Sequence, residues 1–174
     1  MLPTIYEVER IGSGSLSIMG RPRAGEWVTE EFRGLAQLGL TDIISLLESH
    51  EAQELGLEEE ANFCANVGIE FHAFPIPDRG LPVSPVQLSR LACPTYHRCA
   101  GGHHTAIHCR AGIGRSGLVG AAVLLHCGFE VAEAFAVISK VRGVSVPDTE
   151  EQSEWLVAHH SEVVECHLER RQWR

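Results

Sequence analysis

Positive charge is scarce in this chain: 14 lysines and arginines stand against 23 aspartates and glutamates, a net charge of −9 over 174 residues. Neutralising a nucleic-acid backbone takes a basic face, so nucleic acid is excluded as the main partner. Long apolar runs are missing too. A membrane span takes roughly 18 apolar residues, and the longest candidate here, Leu118 to Phe129, is shorter and broken by His126. The first residues, Met1 to Glu7, lack the basic-then-apolar order of a secretion signal. These absences predict a cytoplasmic chain with no membrane partner. Internal repeats and low-complexity tracts are also lacking. The length and the 44% apolar share fit one domain with a proper core over residues 1–174, with the segment 1–26 and the tail 169–174 peripheral.

Cysteine is not scarce: Cys64, Cys93, Cys99, Cys109, Cys127 and Cys166 could pair on arithmetic alone. In a cytoplasmic chain of this size they are expected as reduced and mostly buried thiols.

Apolar and polar residues alternate between strand-like and helix-like periods. Short strands are predicted at Thr4–Val8, within 11–20, at Asp42–Leu47, Ile69–Phe74 and Thr105–His108. Helices are predicted over Trp27–Leu38, over Glu51–Val67 with a break at Gly56 and an acidic outer face, and over Gly117–Cys127 and Val131–Val141. A last one, capped by Asp148 or Thr149, runs to about Leu168. Ser84 and Pro85 open another helix, which Pro94 should kink or end early. Strands alternating with helices imply an α/β fold with a mostly parallel central sheet flanked by helices. The glycines at 12 and 14 do not make a nucleotide loop, because the sixth position is Ser17.

Ten residues organise the chain: His108-Cys-Arg-Ala-Gly-Ile-Gly-Arg-Ser-Gly117. A tight loop between a strand and a buried helix turns main-chain N–H groups inward beside a positive helix end, which makes an anion site. Arg110, Ala111, Gly112, Ile113 and Gly114 would supply those N–H groups. Arg115 can grip two phosphate oxygens with its planar fork. Cys109, centred beneath them, should have a lowered pKa and stand as a thiolate.

The stretch resembles the Cys-x5-Arg-Ser/Thr pattern of the protein tyrosine phosphatase superfamily, in the extended form His-Cys-x-x-Gly-x-x-Arg-Ser/Thr-Gly, and fills every fixed position of it. The loop and acid segment look most like the dual-specificity type, in particular the family of the cyclin-dependent kinase inhibitor 3 phosphatase and its bacterial relatives. The resemblance implies a cysteine-phosphatase fold and hydrolysis through a phosphocysteine on Cys109. Asp78, on the proline-flanked loop Phe74–Pro82, matches the superfamily's general acid. The Ser116 hydroxyl would assist release of the sulfur, and Gln152 would position the attacking water. His108 is read as structural.

No cofactor is implied. Cys93, His97, Cys99, His103 and His104 have donor types that suit zinc, but their spacing matches no zinc template, so no metal site is expected. The Arg21-Pro-Arg23 stretch is read as a solvated loop that can reach a substrate's edge. With no aromatic at the expected rim, a shallow pocket for phosphotyrosine and also phosphoserine and phosphothreonine proteins or peptides follows. Two other readings are a phosphatase for phosphoinositides or small phosphate esters, and a phosphate-reading module without turnover. Loops specialised for the former often carry lysines, and none lies between Cys109 and Arg115.

Overall fold

β5 (His104–His108) is flanked by parallel strands on both sides, and the Cys109 loop leaves its carboxyl end. In the computed structural model, which describes residues 2–166, the sheet has five strands in the order β1-β2-β5-β3-β4. β1 (Tyr6–Ile11) pairs antiparallel with β2 (Gly14–Met19), while β2, β5, β3 (Asp42–Ser45) and β4 (Glu70–Ala73) run parallel. The expected mostly parallel sheet is thus present. The expectation of a peripheral segment 1–26 is corrected: β2 is wholly buried between β1 and β5. Its Leu16 and Ile18 fill the core that a solvated segment would leave open.

The strand alternation splits the core in two. Ile43 and Ala106 face one way, packing with Phe32 and Leu35 of α1 (Val28–Gln37), with Leu57, and with Cys64 of α3 (Glu60–Asn66). Ile44 and Ile107 face the other way. There they meet α4 (Pro85–Ala100), α5 (Gly114–His126), α6 (Val131–Arg142) and α7 (Glu150–Val164). α5 is buried along nearly its whole length, and at 0% exposure Leu118 and Val119 remove close to their full apolar area from water.

Several element boundaries differ from the sequence reading. The acidic helix is two pieces, α2 (Ser49–Glu54) and α3, separated by residues 55–59. α5 begins at Gly114, three residues before the expected start, because the phosphate-type loop leads straight into its first turn. Pro94 does not end α4, which continues to Ala100. Pro94 is buried, and the packing of Leu88, Leu91, Ala92 and Cys99 carries the helix past it. The Thr95 hydroxyl donates to the Leu91 carbonyl at 2.7 Å nearby. Ser84 caps α4 as expected, accepting from Gln87 N at 3.2 Å. Thr149, not Asp148, caps α7. The expected end of that helix near Leu168 lies outside the described residues.

The six-thiol expectation is also corrected. Cys93 and Cys166 form a disulfide across 73 residues of sequence, brought together where the end of α7 packs on α4. Cys64, Cys99, Cys109 and Cys127 are free, the first three of them buried.

Candidate active site

Between β5 and α5 the main chain wraps around Cys109 Sγ. The carbonyls of this loop are taken from outside it: Arg21 N donates to Arg110 O at 3.2 Å, and Arg142 donates to Ala111 O at 3.1 Å and Gly112 O at 2.7 Å. With its carbonyls held outward, the loop presents its N–H groups inward. Gly112 has φ of 70°, a conformation that side chains resist, and a Cβ there would collide with the Met19 carbonyl. The loop is therefore pressed against the end of β2, and glycine is required at that point.

Burial pushes the Cys109 thiol up. Hydrogen bonds from the Ser116 hydroxyl and from the N–H groups of Ser116, Ile113 and Gly112 outweigh it, and the net pKa is below the ordinary thiol value. Ser116 Oγ lies 3.4 Å from the sulfur. Directly behind, His108 Nε2 meets Glu60 Oε1 at 2.8 Å, and both groups are buried. Burial pulls His108 down, but the Glu60 carboxylate and the Cys109 main chain raise it further. A buried imidazole–carboxylate pair thus pins the start of the loop.

Arg115 is only 2% exposed in its side chain. Its Nη1 donates to Glu51 Oε2 at 2.6 Å and to the Ile76 carbonyl at 2.9 Å, and its Nη2 donates to Glu51 Oε1 at 3.0 Å. The same Nη2 meets Asp78 Oδ1 at 3.0 Å. Glu51 is a further site residue that the sequence reading did not single out. Burial raises its pKa, but Arg115 and the Glu48 main chain bring the net below the usual carboxylate value. The expectation of an acidic outer face on 51–67 is corrected here, because Glu51 and Glu60 point inward to Arg115 and His108. One signal was available: Glu48 and Glu51 form a reciprocal N-terminal cap, which fixes the start of α2 and the direction of Glu51.

A cavity of about 230 Å³ unites the parts. Asp78, Arg79, Cys109, Arg110, Arg115 and Asp148 are among its lining residues. Asp78 sits on a turn closed by Gly80 N donating to Pro77 O at 2.7 Å, with Arg79 in the left-handed region at φ 56°. Its carboxylate is 60% exposed at the rim. Arg79 reaches Asp148 at 3.6 Å across the opening. Gln152 does not line this cavity, and it is fully buried. Its Nε2 donates to Gly80 O at 3.1 Å and its Oε1 accepts from Thr149 N at 3.3 Å, beside Gly114. Arg110 turns its side chain outward to Glu54 at 2.9 Å, so it serves the cradle through its main chain. Arg21, Arg23 and Arg142 border an adjoining cavity of about 350 Å³, where Glu31 pairs with Arg23 at 2.6 Å.

Among the described residues, His103, His104 and Cys99 do not converge on Cys93. His103 is paired with Asp42 at 2.8 Å, His104 with Ser15 at 2.9 Å, and Cys99 donates to the Ser15 carbonyl.

A family model described as "Polymorphic toxin system, DSP-PTPase phosphatase" matches residues 17–129. The chain belongs to this family. Solved structures agree in fold. A kinase associated phosphatase with serine in place of its catalytic-site cysteine matches at 21% identity, covering 97% of this chain and 99% of that one, with a TM-score of 0.83. Tk-PTP in its active form matches at 27% identity over 94% and 98% of the two chains, with a TM-score of 0.71. PTPMT1 in complex with PI(5)P matches at 20% identity over 91% and 96%, with a TM-score of 0.74. No curated protein matches the sequence. The architecture is that of a dual-specificity-type cysteine phosphatase, and among the described residues no helix is long and apolar enough to cross a membrane.

Proposed function

We propose that this phosphatase hydrolyses phosphotyrosine, and more slowly phosphoserine and phosphothreonine, in proteins or peptides, through a phosphocysteine on Cys109. The observation that carries the reading is the convergence in one cavity of a thiol lowered by four hydrogen bonds, an arginine fork and an aspartate bonded to that fork.

In the first step the Cys109 thiolate attacks phosphorus and the ester P–O bond breaks. The Asp78 carboxyl passes its proton to the departing oxygen. The N–H groups of residues 110–115 and the Arg115 guanidinium hold the three peripheral oxygens, whose charge grows in the transition state. In the second step water attacks phosphorus, the P–S bond breaks, and the Asp78 carboxylate accepts the water's proton. Ser116 Oγ supports the sulfur as it leaves. Gln152 positions that water when its carboxamide turns from Gly80 O with the acid loop still in place; until then it bridges the loop to α7. Glu51 is a positioning residue, because it touches Arg115 and not the substrate. No cofactor takes part.

A shallow rim supports breadth of substrate. Asp78, Arg79 and Asp148 edge the opening, and no aromatic among the described residues lines it. An aryl oxygen leaves more readily than an alkyl one, which places phosphotyrosine first. The adjoining basic cavity at Arg21 and Arg142 favours a second reading, a small ester with a further anionic group.

The test compares an aryl phosphate, phosphotyrosine, phosphothreonine and phosphoserine peptides, and inositol phosphates. Phosphotyrosine peptides should be fastest and inositol phosphates slowest. An inositol phosphate turned over faster than any peptide overturns the ranking. Tight binding of phosphopeptides with no turnover of any ester overturns catalysis altogether.

A further inference from the structure

α5 carries the phosphate cradle at its first turn. At its last residue, roughly 18 Å away along a helix of this length, three donors meet that the phosphatase chemistry does not use. Cys93 lies on α4, His126 ends α5, and Cys166 follows α7. Their two sulfurs and an imidazole nitrogen all lie within 4.8 Å of one another.

His126 Nε2 is buried and has no hydrogen-bond partner among the described residues. Buried polar atoms without a partner are few, and each calls for a cause. The ring is fixed by stacking against Tyr96, with centroids 6.2 Å apart. An imidazole of fixed orientation, with an unpartnered buried nitrogen beside two sulfurs, is a set of metal donors.

We propose that Cys93, Cys166 and His126 form a zinc-type cation site in the reduced chain, and that the disulfide is the metal-free, oxidised form of the same site. Two thiolates and one imidazole suit a borderline-soft divalent ion, zinc first among the common ones, and do not suit magnesium or calcium. The two thiolates balance the ion's charge, and water takes the fourth position. Around a tetrahedral ion the sulfurs stand roughly 3.8 Å apart, given metal–sulfur bonds of about 2.3 Å. The Cα atoms of Cys93 and Cys166 are 5.7 Å apart. Cys93 is buried, whereas Cys166 is exposed beyond the last turn of α7 and can make the adjustment.

The conversion balances. A dithiol reductant breaks the S–S bond, becomes a disulfide itself, and leaves two thiols, which lose their protons as the ion binds. In reverse, a hydroperoxide takes two electrons from the thiolates and two protons from solvent and is reduced to water and an alcohol. The S–S bond re-forms and the ion departs. The site is independent of the phosphatase reading, because neither Cys109 nor Asp78 contributes to it.

The full chain, reduced with a phosphine and freed of air, is titrated with Co²⁺. One ion per chain should bind with a thiolate charge-transfer band in the near ultraviolet, in the wild type and equally in Cys109→Ser. The band should vanish in Cys166→Ser and in His126→Gln. Both variants should keep wild-type aryl phosphatase turnover, which reports that they fold. His126→Gln should still form the disulfide. In zinc-loaded Cys109→Ser, peroxide should release one zinc for each disulfide formed, read with a chromogenic chelator and by mass. A reduced wild type without the band overturns the site, as does a band of equal strength in Cys166→Ser or in His126→Gln. Disulfide formation without zinc release overturns the exchange.

Discussion

The two loops that meet at Arg115 are held in different ways. Along residues 109–115, the carbonyls of Arg110, Ala111 and Gly112 accept from donors outside the loop, and the chain on either side is buried. Along residues 74–82 the main chain is tied down at the base, where Phe74 N donates to Ser45 O at 2.9 Å, Ile76 N donates to Leu46 O at 3.1 Å and the Ile76 carbonyl accepts from Arg115. The exposed tip has three side-chain ties: Asp78 to Arg115, Arg79 to Asp148, and Gly80 O to Gln152. A bound phosphate competes directly for the first of these. Under the proposed function, binding falls to the loop held along its length, and proton transfer to the loop whose exposed tip is held by side-chain ties. Each substitution below breaks one side of that division.

Cys109→Ser should have the largest effect, abolishing turnover while leaving oxyanion binding. The N–H groups and Arg115 that hold the phosphate are not altered. Binding of a phosphopeptide measured by calorimetry, with residual turnover below a few per cent of wild type, is the expected pair of results. Appreciable turnover would show that another group is the nucleophile.

Asp78→Asn should lower turnover of phosphotyrosine by roughly 10²–10⁴-fold, the range for a lost general acid. The loss should shrink for esters with good leaving groups. Thermal stability should stay close to wild type, because this carboxylate is an exposed one. Equal losses for every leaving group would mean that Asp78 shapes the loop and does not move a proton.

Glu51→Ala tests the rigid side. It leaves Arg115 buried without its two-pronged partner, and breaking such a pair costs about 3–5 kcal/mol. Turnover should fall by about 10²-fold through misplacement of the guanidinium. Denaturant unfolding should separate the two acids: a large loss for Glu51→Ala and almost none for Asp78→Asn. If both are equally mild, Arg115 is oriented by the Ile76 and Leu46 carbonyls instead.

How much of this was legible from the sequence follows the same division. The Cys109 loop is contiguous, so His108 to Gly117 displayed the strand, the tight loop and its central cysteine in one run. Asp78 was legible because prolines and a turn marked its loop. Glu51 and Glu60 were not, since they lie in an acid-rich stretch that reads as a solvated face. Their burial depends on Arg115 and His108, 64 and 48 residues further on. A buried arginine and a buried histidine each require a partner, but only the fold says which acid supplies it. The Cys93–Cys166 contact was hidden for the same reason, being a product of α4–α7 packing across 73 residues. Pro94 misled in the other direction: a local rule that ends helices was outweighed by a buried helix face.

Ser116→Ala should act more gently. The Cys109 thiol lies below its ordinary value chiefly because the Ser116 hydroxyl and three N–H groups oppose burial. Removing one donor to the thiolate raises that pKa. The iodoacetate inactivation rate, plotted against pH, should therefore move to higher pH, with less thiolate at any given acid pH. A curve that does not move would place the whole effect in the main chain.

Gln152→Ala should be the smallest change, and it probes the contact between the two loops. In the closed arrangement both ends of the Gln152 carboxamide are occupied, by Gly80 O and Thr149 N. Removing it frees the tip of the acid loop and also removes half of the reciprocal cap on α7. Formation of the phosphocysteine does not use Gln152, so its rate should stay close to wild type. Hydrolysis needs a water placed in line with the P–S bond, and this step should slow. Rapid mixing with an aryl phosphate should then give a burst of phenolate that the wild type lacks or shows weakly. The comparison with Gln152→Glu sharpens the assignment. Glutamate keeps an acceptor for Thr149 N but cannot donate to Gly80 O, so a burst in that variant as well assigns the effect to the lost donor. A burst in neither, with slower phosphocysteine formation in both, would make Gln152 a strut for the acid loop and leave the water to other groups.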